Sequence, residues 1–591
     1  MVLKKLTFKY IIRLILHNKK SFIYGQIITL IAILVSIPIP LMLPVLVDEV
    51  LLEKPALFVD TIDSVFGSGN AFYYIAIVAF SVIFLRFFHF FVSIIVTKIF
   101  TAIAKEVTFS VRQRLLEHLE QVCMNEYETL GNGAVSANLV TDVNTLDNFI
   151  ITGASKFIAS VLSLIAISIV MILIHPILGL MILIIQPIIM LISKKISKSV
   201  VALKKNENKA IENFQENISE VLELFGQIKA SNKEQFFFQN SISQAKQIQT
   251  TSNEYNYKSV AYERFSFTIF LAAFEILRAT GLLMVVYSDL SIGMMFAMFG
   301  YIWVIMTPVQ DILSMQYSYA SAKAAMERLN KILDLKIEAN GQEILHETPK
   351  GVDISLRNVS FAYTSDKEIL KNITMQISFG QKIALIGASG SGKTTLAQII
   401  SGFYEKTSGE ISYNDISIEN IDKKSLRESV FLVLQMPILF NNTLRFNITM
   451  GNESIGDDAI IKALEIAQLT TTVETMAQGL DTVVGKHGIR LSGGQRQRLS
   501  IARMIISNPS VVIFDESTSA LDVHTENKLF LALEPYLKEK TVITIAHRLS
   551  TVKNADTIFV LHDGVIVQQG SHKELEQEAG HYTDFVKNQL L

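Results

Sequence analysis

A chain of 591 residues is too long for one ordinary domain, and 50% hydrophobic with 18% charged residues is too apolar for a wholly soluble protein. We therefore expect a membrane-embedded part. The formal net charge of −2 gives no indication of nucleic-acid binding. The single cysteine, Cys123, cannot form an internal disulfide, and we expect no redox chemistry from it.

Uncharged runs of about 20 residues, the length that crosses hydrocarbon as a helix, predict six membrane crossings in residues 1–330. The uncharged run 157–193 has only His175 and Pro176 in its middle and is too long for one crossing. We interpret it as a hairpin of two helices that turns at "IHPIL". The predicted crossings are residues 21–47, 71–100, 157–175, 177–197, 262–287 and 292–313.

Basic residues near the crossings predict the orientation of the chain. Residues 1–20 hold six basic residues and no acidic one, whereas loop 51–70 holds only Lys54 and loop 288–291 none. Both termini are therefore expected in the cytoplasm. A signal peptide is the alternative for the amino terminus, but its apolar region would be shorter, and "PIPLMLP" offers no small-residue cleavage site.

The polar segments 101–156 and 198–261 place apolar residues at intervals of three and four, which is typical of helices. We expect the membrane helices to continue into the cytoplasm, each ten further residues adding about 15 Å. Residues 331–350 then read as a polar linker. From 351 to 591, short β-branched runs alternate with helical ones, the pattern of an α/β domain.

A glycine-rich loop lies between a predicted strand, "QKIALIG", and a predicted helix, "TLAQIISGFY". In this context backbone amides and the helix amino terminus bind phosphate, Lys393 reaches the β and γ phosphates, and the Thr394 hydroxyl binds Mg²⁺. The predicted ligand is ATP. The residues expected to bind it are Gly387, Ser389, Gly390, Ser391, Gly392, Lys393, Thr394 and Thr395.

A second apolar strand, "SVVIFDE", ends in two carboxylates. Asp515 suits holding the metal, directly or through water, and Glu516 suits polarising the attacking water. The alternative is that both acids cap the next helix, because "DESTSA" is rich in capping residues. The phosphate loop about 120 residues earlier favours the catalytic interpretation.

The stretch "LSGGQRQRLSIARMII", residues 491–506, begins a helix with a serine and two glycines and predicts a second anion site. It resembles the signature of the ATP-binding cassette (ABC) transporter family. The resemblance implies that the signature faces the phosphate loop of another cassette, so that two ATP molecules join a head-to-tail dimer. The residues implied to bind ATP in this way are Leu491, Ser492, Gly493, Gly494, Gln495 and, in "SALD", Asp522.

Further motifs follow the family's order. Tyr363 matches the aromatic residue that stacks on adenine, Gln435 the glutamine that contacts metal and water, and His547 the histidine that contacts the γ-phosphate. Strand packing, a solvated loop residue and a strand-end histidine are the respective alternatives. The resemblance thus implies the catalytic residues Glu516, His547 and Gln435, and the metal-binding residues Thr394, Gln435 and Asp515.

The whole chain resembles an exporter-type half-transporter, the class that includes lipid A flippases and multidrug and peptide exporters. This implies an all-α six-helix transmembrane domain with long cytoplasmic extensions, fused to an α/β P-loop (RecA-like) domain with an antiparallel β part and a helical subdomain. It also implies ATP-driven export or flipping of a lipid, peptide or amphipathic compound. An importer on the same fold and an ATP-gated channel or regulator are the alternatives.

Intact Glu516 and His547 favour a homodimer with two competent sites, and the fused architecture suggests a bacterial inner membrane. Gly133 and Asp142 match the family's first coupling helix, and the second is expected near residues 210–218. One departure is "VVGKHG". It has Lys486 and His487 in a loop where the family usually has a glutamate, so coupling there is expected to use reversed charge or a different partner.

Among the ionisable residues of the predicted crossings, four stand out: Arg86, His89, Glu275 and Arg278. Charges in a bilayer are costly and often functional, so these residues are candidates for a polar cavity that binds an amphipathic, anionic substrate. The structural alternative is that Glu275 and Arg278, three residues apart, pair on one helix face and that Arg86 contacts a neighbouring helix.

Overall fold

The computed structural model describes residues 5–54, 57–345, 352–363, 367–435, 437–485, 488–489, 491–516, 521–546 and 549–590. The chain divides into two compact units. The first comprises Met1–Glu120 and Asn132–Asp334, and the second comprises Gln121–Gly131 and Leu335–Leu591. The short segment Gln121–Gly131 therefore packs with the cassette, although it lies in the chain between helices of the first unit.

The first unit is helical because lipid offers no partner for backbone polar groups, so an apolar crossing must satisfy them internally. Within the described residues, five helical stretches are long and apolar enough to cross a membrane: Lys19–Leu51, Ala71–Leu119, Gly133–Ile174, Glu234–Tyr287 and Ile292–Ile312. A shorter apolar stretch, Pro176–Ile185, falls within the predicted hairpin. The crossing at 177–197 stays a prediction.

The helices up to residue 333 include three π-helical segments, Val45–Leu51, Asn138–Asp142 and Thr152–Phe157. The α-helices are α1 Phe8–His17, α2 Lys19–Ser36, α3 Pro38–Pro44, α4 Leu57–Phe66, α5 Ala71–Leu119, α6 Met124–Ala137, α7 Val143–Ile151, α8 Ile158–Ile174, α9 Pro176–Glu223, α10 Phe225–Ala230, α11 Glu234–Tyr287 and α12 Ile292–Leu333.

The structure has the predicted helix break at "IHPIL" and the predicted long helices, while the bounds of the crossings stay predictions. Helix α8 ends at Ile174, His175 is extended, and α9 starts with Pro176, whose fixed φ suits the first helical turn. Helices α5, α9 and α11 contain 49, 48 and 54 residues. At 1.5 Å per residue each is about 70–80 Å long, far more than a bilayer requires.

The position expected for the second coupling helix was wrong, because residues 210–218 lie inside α9. The chain turns later, around α10, and Asn232 there has φ +52°. The polar run preceding this turn keeps the helical period, so the sequence gives no sign of where the helix ends. In the first connection the helix is broken at Gly131, which has φ +71°.

Buried carboxylates join helices of the first unit. Asp142 accepts two hydrogen bonds from the Arg328 guanidinium, at 2.9 and 2.5 Å, and Asp147 pairs with Lys105 at 2.5 Å. Their side chains are only 5% and 9% exposed. Buried charges require such partners, so these pairs fix how the helices pack.

The second unit contains a six-stranded sheet in the order β12-β11-β3-β10-β9-β6, a four-stranded antiparallel sheet β2-β1-β4-β5, and the pair β7-β8. In the larger sheet β6, β9, β10, β3 and β11 are parallel, and β12 is an antiparallel edge. The strands are β1 Ile354–Ala362, β2 Glu368–Ile377, β3 Lys382–Gly387, β4 Ser408–Tyr413, β5 Ile416–Ser417, β6 Val430–Val433, β7 Asn442–Thr443, β8 Val483–Val484, β9 Val511–Asp515, β10 Thr541–Ile545, β11 Thr557–His562 and β12 Val565–Gly570.

The second unit's helices cover the sheets and form a separate helical part between β7 and β9. Leu345, from the predicted linker, is buried in the core between the sheets, and its amide donates to Ser425 Oγ at 2.8 Å. The helices are α13 Lys393–Ile400, α14 Lys423–Ser429, α15 Leu444–Thr449, α16 Asp457–Ile466, α17 Thr470–Glu474, α18 Gly493–Ser507, α19 Val523–Leu537, α20 Leu549–Lys553, α21 His572–Gln577 and α22 His581–Leu590, with a 3-10 turn at Gly479–Asp481.

Candidate nucleotide-binding site

The phosphate loop lies at the carboxyl edge of the parallel sheet, between β3 and α13. Gly392 is the N-cap of α13 and has φ +101°. A Cβ there would meet Leu370 Cδ2 at 2.7 Å, so the turn has no room for a larger residue. Strand β9 lies on the other side of β10, and its carboxyl end reaches the same edge.

Two buried polar side chains in this loop point to a phosphate ligand. Lys393 is 6% exposed, and its ammonium donates to the carbonyl oxygens of Gly387 and Ala388 at 2.9 and 3.0 Å. Burial lowers the pKa of Lys393, while Glu516 and Asp515 act in the opposite direction. The hydroxyl of Ser391 is buried without a hydrogen-bond partner among the described residues, a cost that a phosphate oxygen would remove.

Two of the three residues expected to hold the metal, Thr394 and Asp515, are in contact. Thr394 Oγ1 donates to Asp515 Oδ1 at 3.1 Å, and Asp515 is 3% exposed at the end of β9. A hydroxyl and a carboxylate are hard oxygen ligands, the type that Mg²⁺ prefers. These two side chains therefore fit a magnesium ion that also binds substrate phosphates.

The two polar catalytic candidates also meet. Gln435 follows β6, and its Nε2 donates to Glu516 Oε2 at 2.6 Å. Glu516 has φ +45°, a left-handed conformation that costs energy for a residue other than glycine and is common at functional sites. The Gln435 carbonyl in turn accepts from Gln497 of α18 at 3.2 Å, which ties the signature helix to this site.

Tyr363 follows β1 and is 44% exposed. Its hydroxyl lies 3.1 Å from Thr395 Oγ1, so the side chain contacts the phosphate-loop helix α13. Its ring packs edge-on against Phe361 and Tyr404, with centroids 4.9 and 5.4 Å away. The position is suited to an aromatic side chain that stacks on a nucleobase.

The signature residues begin α18. Ser492 is its N-cap, and Ser492 and Gln495 form a reciprocal capping box, with Gln495 N donating to Ser492 Oγ at 3.2 Å and Ser492 N to Gln495 Oε1 at 2.8 Å. Leu491 is buried, and Gly493 and Gly494 are half-buried. No hydrogen bond or ion pair joins residues 491–495 to residues 387–395, both of which the structure describes throughout.

Asp522 is the N-cap of α19 and accepts from the backbone amides of His524 and Thr525 at 3.1 and 3.0 Å. Hydrogen bonds from Thr525 lower the pKa of Asp522, so its carboxylate stays ionised.

Three further candidates, His547, Lys486 and His487, lie outside the described residues. The sequence did not indicate that Gln497 and Tyr404 contact functional residues, because their partners lie far away in the chain.

The four membrane candidates separate into different environments. A ring nitrogen of His89 donates to the Ala32 carbonyl oxygen at 2.9 Å, which gives it a structural role between α5 and α2. Glu275 and Arg278 pair at 2.5 Å on one face of α11, and both are about half exposed. Arg86 is exposed, and it has no hydrogen bond or ion pair within the described parts of the chain.

Residues 21–309 match the family model described as the ABC transporter transmembrane region, and residues 370–519 match the one described as the ABC transporter. The second match contains the phosphate loop, Gln435, the signature and Glu516. The chain belongs to the ABC transporter family. Its cassette is an ATP-binding domain.

The chain is also similar to a bacterial Atm1-family ABC exporter with ATP bound, with a TM-score of 0.81 and 22% identity over 97% of this chain and 98% of that one. This likeness shows the exporter fold. Lipid A-core flippases are more similar in sequence. The one from Pasteurella multocida is 40% identical over 296 residues, 50% of this chain and 51% of that protein.

A second lipid A-core flippase, from Legionella pneumophila (strain Paris), is 36% identical over 346 residues, 57% of this chain and 59% of that protein. The Arabidopsis thaliana ABC transporter B family member 21 is 38% identical over 277 residues, 46% of this chain and 21% of that protein. The chain thus spans about half the length of the bacterial relatives it matches, and less of the plant one.

Proposed function

We propose that this ABC transporter is an integral membrane ATPase that uses ATP hydrolysis to export or flip an amphipathic compound by alternating access. The observation that carries the proposal is the juxtaposition of Thr394 with Asp515 and of Gln435 with Glu516 at one edge of the sheet. The exporter fold and the flippase relatives support export over import. The chain has the residues proposed to hydrolyse ATP, and their presence favours a pump over a channel.

In this proposal Lys393 and the amides of the phosphate loop bind the β and γ phosphates, and Thr394 and Asp515 hold Mg²⁺. Bound Mg²⁺ would neutralise developing charge on the phosphate oxygens. Gln435 orients Glu516, and Glu516 accepts a proton from the attacking water. His547 is proposed to contact the γ-phosphate, and Tyr363 to stack on adenine.

We further propose that the active unit is a homodimer. The signature residues have no bond to the phosphate loop of their own chain, and Ser492, Gly493 and Gly494 form the start of α18, the end of a helix that attracts anions. Leu491, Ser492, Gly493, Gly494, Gln495 and Asp522 would then complete the site of a second copy. Because ATP binds only the closed pair tightly, it supplies the difference in free energy that shifts the conformational equilibrium.

Two exposed apolar surfaces support this dimer. Around the turn between α9 and α11, Leu222, Phe225 and Phe236 are 61%, 42% and 70% exposed. The cassette has an open groove of 1060 Å³ whose lining includes the exposed side chains of Leu434 and Ile438. Apolar patches of this kind usually mark interaction surfaces, and we propose that a second copy covers them.

The proposed substrate is a lipid, peptide or drug-like amphipathic compound, and the lipid A-core flippases favour a lipid. Arg86 and Arg278 would contribute positive charge to its cavity, with Glu275 as the partner of Arg278. His89 is assigned to packing in view of its bond to Ala32. The proposed location is a bacterial inner membrane with both termini in the cytoplasm.

Complementation between two defective chains tests the shared site. Lys393→Ala removes phosphate binding. Ser492→Asn removes the signature hydroxyl but keeps a good N-cap, so α18 still begins correctly. Each variant alone should be inactive. A mixed dimer, purified with two different tags, should regain ATPase activity, because the phosphate loop of one chain meets the signature of the other.

In the mixed dimer the second site carries both defects, so the recovered activity comes from one site. A mixed dimer as inactive as the two homodimers would contradict the shared site. Full activity of either homodimer would contradict the assignment of its mutated residue. Stimulation of the wild-type ATPase by reconstituted lipids, peptides and drugs would then identify the substrate class.

A further inference from the structure

Tyr404 and Glu405 hold the segment Gln121–Gly131 and the start of the linker against the cassette. Tyr404 is 7% exposed, and its hydroxyl donates to both carboxylate oxygens of Glu128 at 3.1 and 3.0 Å. Glu405 pairs with Lys336 and accepts from the Ala339 amide at 3.3 Å. This dipeptide follows the phosphate-loop helix α13 by only a few residues.

The same tyrosine contacts the residue proposed to stack on adenine. The ring of Tyr363 packs edge-on against that of Tyr404, with centroids 5.4 Å apart and an interplanar angle of 87°. Phe361 lies beside both rings, 4.9 Å from Tyr363 and 5.7 Å from Tyr404. Phe361 and Tyr404 are 2% and 7% exposed, so the ring of Tyr363, itself 44% exposed, rests on two buried rings.

The segment that Tyr404 contacts is held along its length. The Cys123 amide donates to the Lys336 carbonyl at 2.9 Å, and the Glu338 amide donates to the Gln121 carbonyl at 2.7 Å. Burial raises the pKa of Cys123 to about 11 and raises that of Tyr404, so at neutral pH the thiol is not ionised and the phenol remains a donor.

Covalent continuity links this segment to the membrane helices. Helix α5 ends at Leu119, immediately before it, and the membrane-length stretch Gly133–Ile174 begins just after its kink at Gly131. The segment is therefore joined covalently, at its two ends, to two of the membrane-length helices. The contacts from Tyr363 through Tyr404 to Glu128 start at the residue proposed to stack on adenine, whose hydroxyl also lies 3.1 Å from Thr395 Oγ1 of the phosphate-loop helix.

We propose that Tyr363, Tyr404 and Glu128 form a path by which the presence of the nucleobase, separately from that of the phosphates, positions Gln121–Gly131. In this scheme a stacked base fixes the Tyr363 ring, the ring fixes Tyr404, and the Tyr404 hydroxyl holds Glu128. Tyr404 and Glu128 are positioning residues. The proposal rests on the proposed function in one respect, namely that Tyr363 stacks on the base of ATP.

Hydrogen exchange on the full-length protein in phospholipid nanodiscs tests the path with two probes. Mg²⁺ with a non-hydrolysable ATP analogue fills the whole site, whereas Mg²⁺ with inorganic tripolyphosphate fills only its phosphate end. Both should slow exchange in residues 387–395, which reports occupancy. Only the ATP analogue should slow exchange in residues 121–131, by about fivefold or more.

Tyr404→Phe should abolish the response of residues 121–131 to the ATP analogue and leave protection of 387–395 intact. Glu128→Ala should do the same, and since Glu128 is exposed this variant should fold even if Tyr404→Phe does not. Tyr582→Phe is the matched control, because it removes a hydroxyl from another buried tyrosine, which is bonded to His572.

If Tyr404 and Glu128 have only a structural role, Tyr404→Phe and Glu128→Ala should change the exchange of residues 121–131 equally with and without nucleotide. This result would overturn the path. So would equal protection of residues 121–131 by tripolyphosphate. If the ATP analogue protects 387–395 but not 121–131 in the wild type, the path fails and the proposed function stands. If it protects neither, both fail.

Discussion

Asp142 and Arg328 form one ion pair, but removing one or the other should lower the free energy of unfolding by different amounts. The Asp142 side chain is 5% exposed, and that of Arg328 is 51% exposed. Arg328→Met leaves a buried carboxylate without its cation and should cost about 3 kcal/mol, the lower end of the range for a broken buried pair. Asp142→Asn keeps an acceptor and leaves the guanidinium half in solvent, so it should cost about 1 kcal/mol.

Trp303 provides the measurement, because it is the only tryptophan of the chain and lies on α12, the helix that carries Arg328. Unfolding in detergent by added SDS, followed by its fluorescence, gives the free energy of each variant. Asp334→Asn is the control. It breaks the exposed Lys5 pair near the end of the same helix and should change stability by less than about 0.5 kcal/mol.

A cost for Asp142→Asn equal to that for Arg328→Met would refute the argument from unequal burial. If both variants lower the free energy of unfolding as little as the control does, the pair stabilises the protein no more than a surface ion pair. The second result would also contradict the statement that this pair fixes how the helices pack.

Glu516→Gln should lower ATP hydrolysis by about 10²–10⁴ with nucleotide affinity retained, as phosphate release and binding of a fluorescent ATP analogue would measure. Gly392→Ala should weaken that binding about tenfold through its positive φ and the contact with Leu370, whereas Gly456→Ala, which meets no atom within 4 Å, should not. Neutralising Arg86 and Arg278 to Gln together should reduce substrate-stimulated ATPase activity without loss of stability; unchanged stimulation would contradict the cavity assignment.

The catalytic proposals depend on different kinds of contact. Lys393, Thr394 and Asp515 gather at one sheet edge through strand order, which the parallel sheet imposes. The pairing of Gln435 with Glu516 instead depends on two loops, each beginning where a strand ends. A substitution that shifts the loop after β6 should therefore affect hydrolysis more than nucleotide binding, because the phosphate loop is fixed by its own strand and helix.

The sequence by itself determined the features that are local in the chain. The length of apolar runs predicts membrane helices, because a bilayer sets the required length. The glycine, lysine and threonine of the phosphate loop predict their own turn and ligand, because they act within one strand–loop–helix unit. The turn at His175 and Pro176 follows from the same local rules, and the structure has it there.

Only the tertiary structure decided which distant residues meet. Gln435 and Glu516 are 81 residues apart, Asp142 and Arg328 are 186 apart, and Glu128 and Tyr404 are 276 apart. Their approach depends on how whole helices and sheets pack, which no local pattern encodes. For the same reason Gln121–Gly131 reads as part of a membrane-domain loop in the sequence, yet it packs with the cassette, since its hydrogen-bond partners lie beyond residue 335.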